Sequence, residues 1–229
     1  MKYLFLALAL IASPAYADPV DVDASVSAVS QYRSRGISPS SEVPALQGTF
    51  DIEHESGFYV GGFGTTLGRR AASSADIELD LVAGYRSGGF DVGVMAYVYP
   101  GSEGKTNYLE AYAGYTHSFG SVTGNLFVAY TPEQNPVQSG DNIWVNTKLS
   151  GNIPGTPLVG RATLGYSNGA QAPGGDYLDW TLGVDYVRGP LTFNVSYVDT
   201  DVSASDAQLL GYRKDQLDAT VLVGLTLSF

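Results

Sequence analysis

Apolar and polar residues alternate along most of the chain with a period of two. That spacing builds strands with one dry face and one wet face, because successive side chains point to opposite sides. Between Leu217 and Phe229 every odd-numbered position is apolar, and the run ends on an aromatic. Segment 76–86 sets Ile77, Leu79, Leu81, Ala83 and Tyr85 against Asp76, Glu78, Asp80 and Arg86. Segment 177–187 sets Leu178, Trp180, Leu182, Val184 and Tyr186 against Asp179, Thr181, Gly183 and Asp185. Twelve such segments can be traced, at 21–33, 45–54, 58–67, 76–86, 90–99, 107–119, 122–131, 142–150, 158–167, 177–187, 191–199 and 216–229. Most reach the roughly 9–11 residues that a tilted membrane-crossing strand needs.

The connections alternate as well. Glu55-Ser56-Gly57, Ser87-Gly88-Gly89, Gly120-Ser121 and Arg188-Gly189-Pro190 are tight turns, and longer polar stretches lie between them. Gly151–Pro157 is the exception, a long member of the short set. Aromatics on the apolar faces sort to strand ends. Tyr32, Tyr130, Tyr166, Trp180 and Tyr197 adjoin long connections, while Phe58, Tyr85, Phe90, Phe119, Tyr186 and Phe229 adjoin short ones or the terminus. A soluble sandwich has no reason to keep either regularity. The fold class expected is all-β, a transmembrane antiparallel up-and-down β-barrel of about 12 strands with its apolar faces toward lipid.

The first residues set the compartment. Lys2, the apolar run Leu4 to Ala12 and the small-x-small triplet Ala15-Tyr16-Ala17 form a signal peptide over 1–17, cleaved between Ala17 and Asp18. Residues 18–229 then make the barrel, exported to the outer membrane of a Gram-negative bacterium. An even strand count places both termini on the periplasmic side. A closing strand that ends on Phe229 resembles the C-terminal signal read by barrel-assembly machinery, which is expected as a partner in biogenesis beside outer-membrane lipids. With 12 basic against 23 acidic residues the chain carries a net charge of −11, which disfavours nucleic acid as a partner.

Three segments carry a family resemblance: Gln31-Tyr32-Arg33-Ser34-Arg35-Gly36-Ile37-Ser38; Pro44 to Gly48 leading into His54-Glu55-Ser56-Gly57-Phe58-Tyr59; and Phe90-Asp91-Val92-Gly93 running to Tyr99-Pro100-Gly101. Together they resemble the TorF family of proteobacterial envelope proteins, once catalogued as conserved hypothetical and labelled porins. Relatives often carry an aromatic between the two arginines, where this chain has Ser34. The resemblance implies a porin barrel with loosely defined substrates and brings no catalytic residues.

On the polar faces the acids are Asp21, Asp23, Asp51, Glu53, Asp76, Glu78, Asp80, Asp91, Glu110, Asp179, Asp185 and Asp218, and the bases are Arg33, Arg86, Lys148 and Arg161. An acid-rich lumen favours cations, so the expected function is a narrow water-filled channel for small neutral or cationic solutes. The alternative is a plugged barrel that serves structure or loop binding, with Asp80 or Glu78 paired to Arg86 and Asp179 to Arg161. Twelve strands lie between filled eight-stranded barrels and open sixteen-stranded ones. Tyr97, Tyr99, Tyr108 and Tyr112 lie on or beside inward faces, either as a stacking track for a solute or as lumen filling.

A lipid-modifying enzyme is the remaining class. The two histidines, His54 and His117, fall on the outward parity near short turns, with no third group to orient either as a base. They do not make metal-ligand spacing, and Gly61-Gly62-Phe63-Gly64 lacks the following helix of a phosphate loop. Catalytic residues, cofactors and metals are not expected.

Overall fold

The computed structural model describes residues 20–68, 74–102, 106–135, 140–209 and 211–229. The expected signal segment, with Ala17 and Asp18, lies outside the described residues. Twelve strands follow in order: β1 (Val20–Val29), β2 (Ala45–His54), β3 (Phe58–Thr66), β4 (Ile77–Ser87), β5 (Phe90–Val98), β6 (Tyr108–Phe119), β7 (Val122–Thr131), β8 (Asn142–Asn152), β9 (Leu158–Gly169), β10 (Asp176–Arg188), β11 (Leu191–Thr200) and β12 (Thr220–Ser228). Each pairs antiparallel with its sequence neighbours, and β1 pairs with β12, so the sheet closes into a barrel. Closure leaves no edge strand, the condition a sheet must meet to stand in hydrocarbon.

The faces are inverted relative to a soluble protein. Leu81, Leu109, Leu164 and Leu182 are 50–65% exposed, whereas Glu78, Glu110, Asn142, Asn146, Ser167, Asp179 and Ser196 are buried. Ladder partners share a face, so Leu81 opposite Ala96 and Leu182 opposite Tyr197 belong to one continuous apolar exterior. Apolar outside and polar inside is the arrangement of a lipid-embedded barrel with a polar lumen.

Three boundaries differ from the sequence expectation. Strand β1 stops at Val29 although alternation runs on to Arg33, because 30–44 turns into the barrel instead of climbing its wall. Strand β12 begins only at Thr220; Lys214–Gln216 forms a 3-10 turn, and Leu217 is buried against Ile37, Ala172, Tyr177 and Ala207 rather than facing outward. The apparent long turn at 151–157 shrinks to 153–157, because β8 runs on to Asn152 and the Ile153 N–H bonds the Leu158 carbonyl. A short helix, α1 (Ala204–Leu209), belongs to the last long loop.

Candidate functional site in the barrel interior

Segment 30–44 enters the barrel at the long-loop end. Its tip is a two-residue turn: Ser34 and Ile37 bridge each other, and Arg35 and Gly36 between them have φ of 49° and 80°. Two successive positive φ values make a tight hairpin turn. Position 36 also has no room for a side chain, since a Cβ there would lie 2.9 Å from the Asp179 Cβ and 3.0 Å from the Thr200 Cβ. Glycine is thus required twice over, for conformation and for space. The arm is held from behind by Arg33, whose Nη1 donates to the carbonyls of Gly36 (2.8 Å) and Gln216 (2.9 Å) and whose Nη2 donates to that of Asp218 (3.0 Å). Burial lowers the Arg33 pKa, opposed by Glu42, Asp218 and Asp199.

From this turn Arg35 projects across the lumen. Its Nη2 lies 2.7 Å from Glu110 Oε2, its guanidinium sits 4.7 Å from the centre of the Trp144 ring, and its carbonyl accepts a bond from the Tyr177 hydroxyl at 3.0 Å. Glu110 also accepts from the hydroxyls of Thr131 (2.9 Å) and Tyr97 (3.1 Å). Burial alone would depress the Arg35 pKa, but Glu110, with Tyr97 and Tyr108, outweighs it and the net shift is upward. The guanidinium therefore stays charged. Tyr32 braces the same arm: its hydroxyl donates to Glu78 Oε1 at 2.9 Å and its ring packs on Phe63.

A second cluster lies nearer the short turns. Arg86 Nη1 contacts Asp51 Oδ1 at 2.7 Å and Glu53 Oε2 at 2.8 Å, and its Nε reaches Asp91 Oδ2 at 3.5 Å. The guanidinium covers the Tyr59 ring at 3.5 Å, a cation–π contact. The Tyr59 hydroxyl donates to Asp91 at 2.7 Å and also meets the Tyr112 hydroxyl. On the far wall Arg161 Nη2 bonds Asp185 Oδ1 at 2.8 Å, and Asn194 donates to the same oxygen at 2.8 Å. The Trp144 indole donates to Asp179 Oδ2 at 3.2 Å.

Of the residues expected to line the lumen, Asp51, Glu53, Glu78, Asp80, Arg86, Glu110, Lys148, Arg161, Asp179 and Asp185 stand on the inward parity of their strands. Arg33 and Asp218 do not. Both lie outside the strands, and Arg33 is spent on loop carbonyls, because the chain leaves the wall at Val29 and rejoins it only at Thr220. Expected pairings also change: Arg86 takes Asp51, Glu53 and Asp91 instead of Glu78 or Asp80, and Arg161 takes Asp185 instead of Asp179. Tyr32 turns inward instead of joining an outer aromatic belt. Arg35 and Trp144 were absent from the expected set; the adjoining glycine, which permits a tight turn, is the one local hint that Arg35 could be inserted. His54 and His117 do face outward near short turns, where His54 Nδ1 meets Ser56 Oγ at 2.7 Å as part of the turn itself.

The model of a family described as a bacterial protein of unknown function (Gcw_chp) matches residues 13–229. That match does not carry the TorF name. No curated protein matches. Among solved structures, an outer membrane channel from Pseudomonas putida F1 shares 10% identity, covering 95% of this chain and 98% of the channel with a TM-score of 0.51. A structure from a study of in-meso crystallization of membrane proteins shares 11%, covering 91% of this chain and 83% of that one, also with a TM-score of 0.51. A refined porin shares 16% over 81% of this chain with a TM-score of 0.42, and this chain spans 62% of that porin's length. At these identities the likeness is one of fold.

Proposed function

The chain belongs to the Gcw_chp family of bacterial proteins of unknown function, and from its own geometry we propose an outer-membrane channel, narrow and acid-lined, for small neutral or cationic solutes. The observation that carries this reading is the charge left over inside. Asp51, Glu53 and Asp91 share one guanidinium, that of Arg86, and Asp80 Oδ1 is buried without a hydrogen-bond partner among the described residues. Carboxylates in such excess attract cations through a low-dielectric wall and require water beside them. On this reading the chain is exported with removal of 1–17, sits among outer-membrane lipids after delivery by assembly machinery that reads Phe229, and performs no catalysis.

A second reading, a plugged barrel, is favoured by Arg35 across the lumen and by Ile37, Ala172, Ala207 and Leu217 packed at the long-loop end. Planar-bilayer recording under a KCl gradient separates the two. A small conductance with a cation-selective reversal potential is expected. No conductance would leave the plugged reading, and anion selectivity would overturn the role given to the acids.

A further inference from the structure

A cavity of about 370 Å³ lies along the wall formed by β12, β1, β2, β3, β4 and β5. It carries three carboxylates, Asp23, Asp51 and Asp80, and an apolar patch made by Phe63, Val82 and Met95. Register explains the mixture: Asp23 is opposite Asp51, Val82 opposite Met95, and Phe63 opposite Asp80, so acid and apolar groups adjoin on one curved surface. Asp51 is already matched by Arg86. Asp80 is not: it is only 8% exposed, and its Oδ1 has no hydrogen-bond partner among the described residues. A buried, unsatisfied carboxylate oxygen beside a cavity is costly while ionised, and a proton, a donor or a cation in that space relieves it.

We infer that this chamber binds a small organic ammonium ion, with Asp80 holding the cationic head and Phe63, Val82 and Met95 covering its carbon chain. A bare metal ion fits less well: among the described residues no group of three or more His, Cys, Asp or Glu side chains is close enough to ligate one. The apolar wall would also be wasted on a hydrated metal, whereas an alkylammonium uses both halves. Phe63 adds an aromatic face of the kind cations favour. The inference rests on the reading of the barrel as an acid-lined channel and names a solute class for it.

The test is equilibrium binding of n-butylammonium chloride to the full barrel refolded in detergent, followed by calorimetry, with n-butanol and sodium butyrate as neutral and anionic comparisons. Saturable binding of butylammonium alone is expected, weakened tenfold or more by Asp80→Asn and unchanged by Glu55→Gln in the exposed turn between β2 and β3. Refolding of each variant is checked by its β-sheet circular dichroism. Absence of saturable binding, equal binding of butanol, or indifference to Asp80→Asn would overturn the inference. Binding in detergent is independent of conduction: a barrel that binds butylammonium yet passes no current defeats the channel reading alone, and a conducting barrel that does not bind it defeats this inference alone.

Discussion

Arg35, on a turn that belongs to no strand, lies 2.7 Å from Glu110 near the long-loop end of β6, with Glu110 only 2% exposed. One ion pair thus ties an inserted arm to the sheet that surrounds it, and it occupies space a solute would otherwise cross.

Replacing Arg35 with Ala opens that space and strands a buried carboxylate. Single-channel conductance is expected to rise, while stability falls by about 3–5 kcal/mol, the usual cost of removing one partner of a buried pair. Adding Glu110→Gln to the same chain should recover much of the stability and keep the larger conductance. Bilayer recording and urea unfolding monitored by tryptophan fluorescence check the two halves; a conductance that does not change would move Arg35 off the permeation path.

Arg86 counterbalances Asp51, Glu53 and Asp91. Arg86→Gln removes the cation and leaves the acids, so the potassium-to-chloride permeability ratio should increase by roughly two- to fivefold in a lumen that focuses charge. Reversal potentials under a KCl gradient measure it, and a fall in the ratio would contradict the proposed sign of the interior.

Glu78 and Asp80 act in the opposite sense. Glu78→Gln combined with Asp80→Asn removes two inward carboxylates from β4 and should shift the reversal potential toward that of an unselective pore. The Tyr32 hydroxyl can still donate to the new amide oxygen at 78, so the inserted arm should keep its place. Selectivity identical to the parent would exclude both acids from the ion path.

Gly93 lies opposite Gly84 beneath the Tyr59–Tyr112 pair. A Cβ at 93 would come within 2.5 Å of both the Ala83 carbonyl oxygen and the Tyr112 hydroxyl. Gly93→Ala should therefore destabilise the barrel by about 1–3 kcal/mol, as overpacking of a filled interior does. The midpoint of urea unfolding reads the effect, and an unshifted midpoint would show that the tyrosines can move aside.

The wall of this barrel was legible in the sequence because lipid and lumen impose opposite demands on adjacent residues. Leu178, Trp180 and Leu182 could face only outward and Asp179 only inward, so the parity of β10 followed directly. The interior was less legible. Tyr32 and Leu217 keep the alternation of β1 and β12, yet each finds a tertiary partner, Glu78 for one and Ile37 with Ala172 for the other, that removes it from the strand face. Pairings were misassigned for a related reason. Arg86 shares β4 with Glu78 and Asp80, but the fold places its guanidinium beside the β2 acids and Asp91, which stand on either side of it. Periodicity reports which side a residue faces and carries nothing about which neighbours the curvature of a closed sheet brings across.

The seam between β1 and β12 has five ladder pairs, from Ser25–Ser228 to Val29–Gly224, where β1 and β2 share ten. It is also the ladder of greatest loop span: Ser27 and Thr226, whose hydroxyls meet at 2.8 Å, are 199 positions apart. The neighbouring ladders can zip hairpin by hairpin from local contacts, but this one must wait for both ends of the sheet to come round, since distant pairings form late. During that wait β1 and β12 each expose a row of unsatisfied amides that hydrocarbon does not tolerate. The short seam acts as the clasp of the ring, the last join to fasten, and the place where a mutation would leave an open ribbon instead of a weakened barrel.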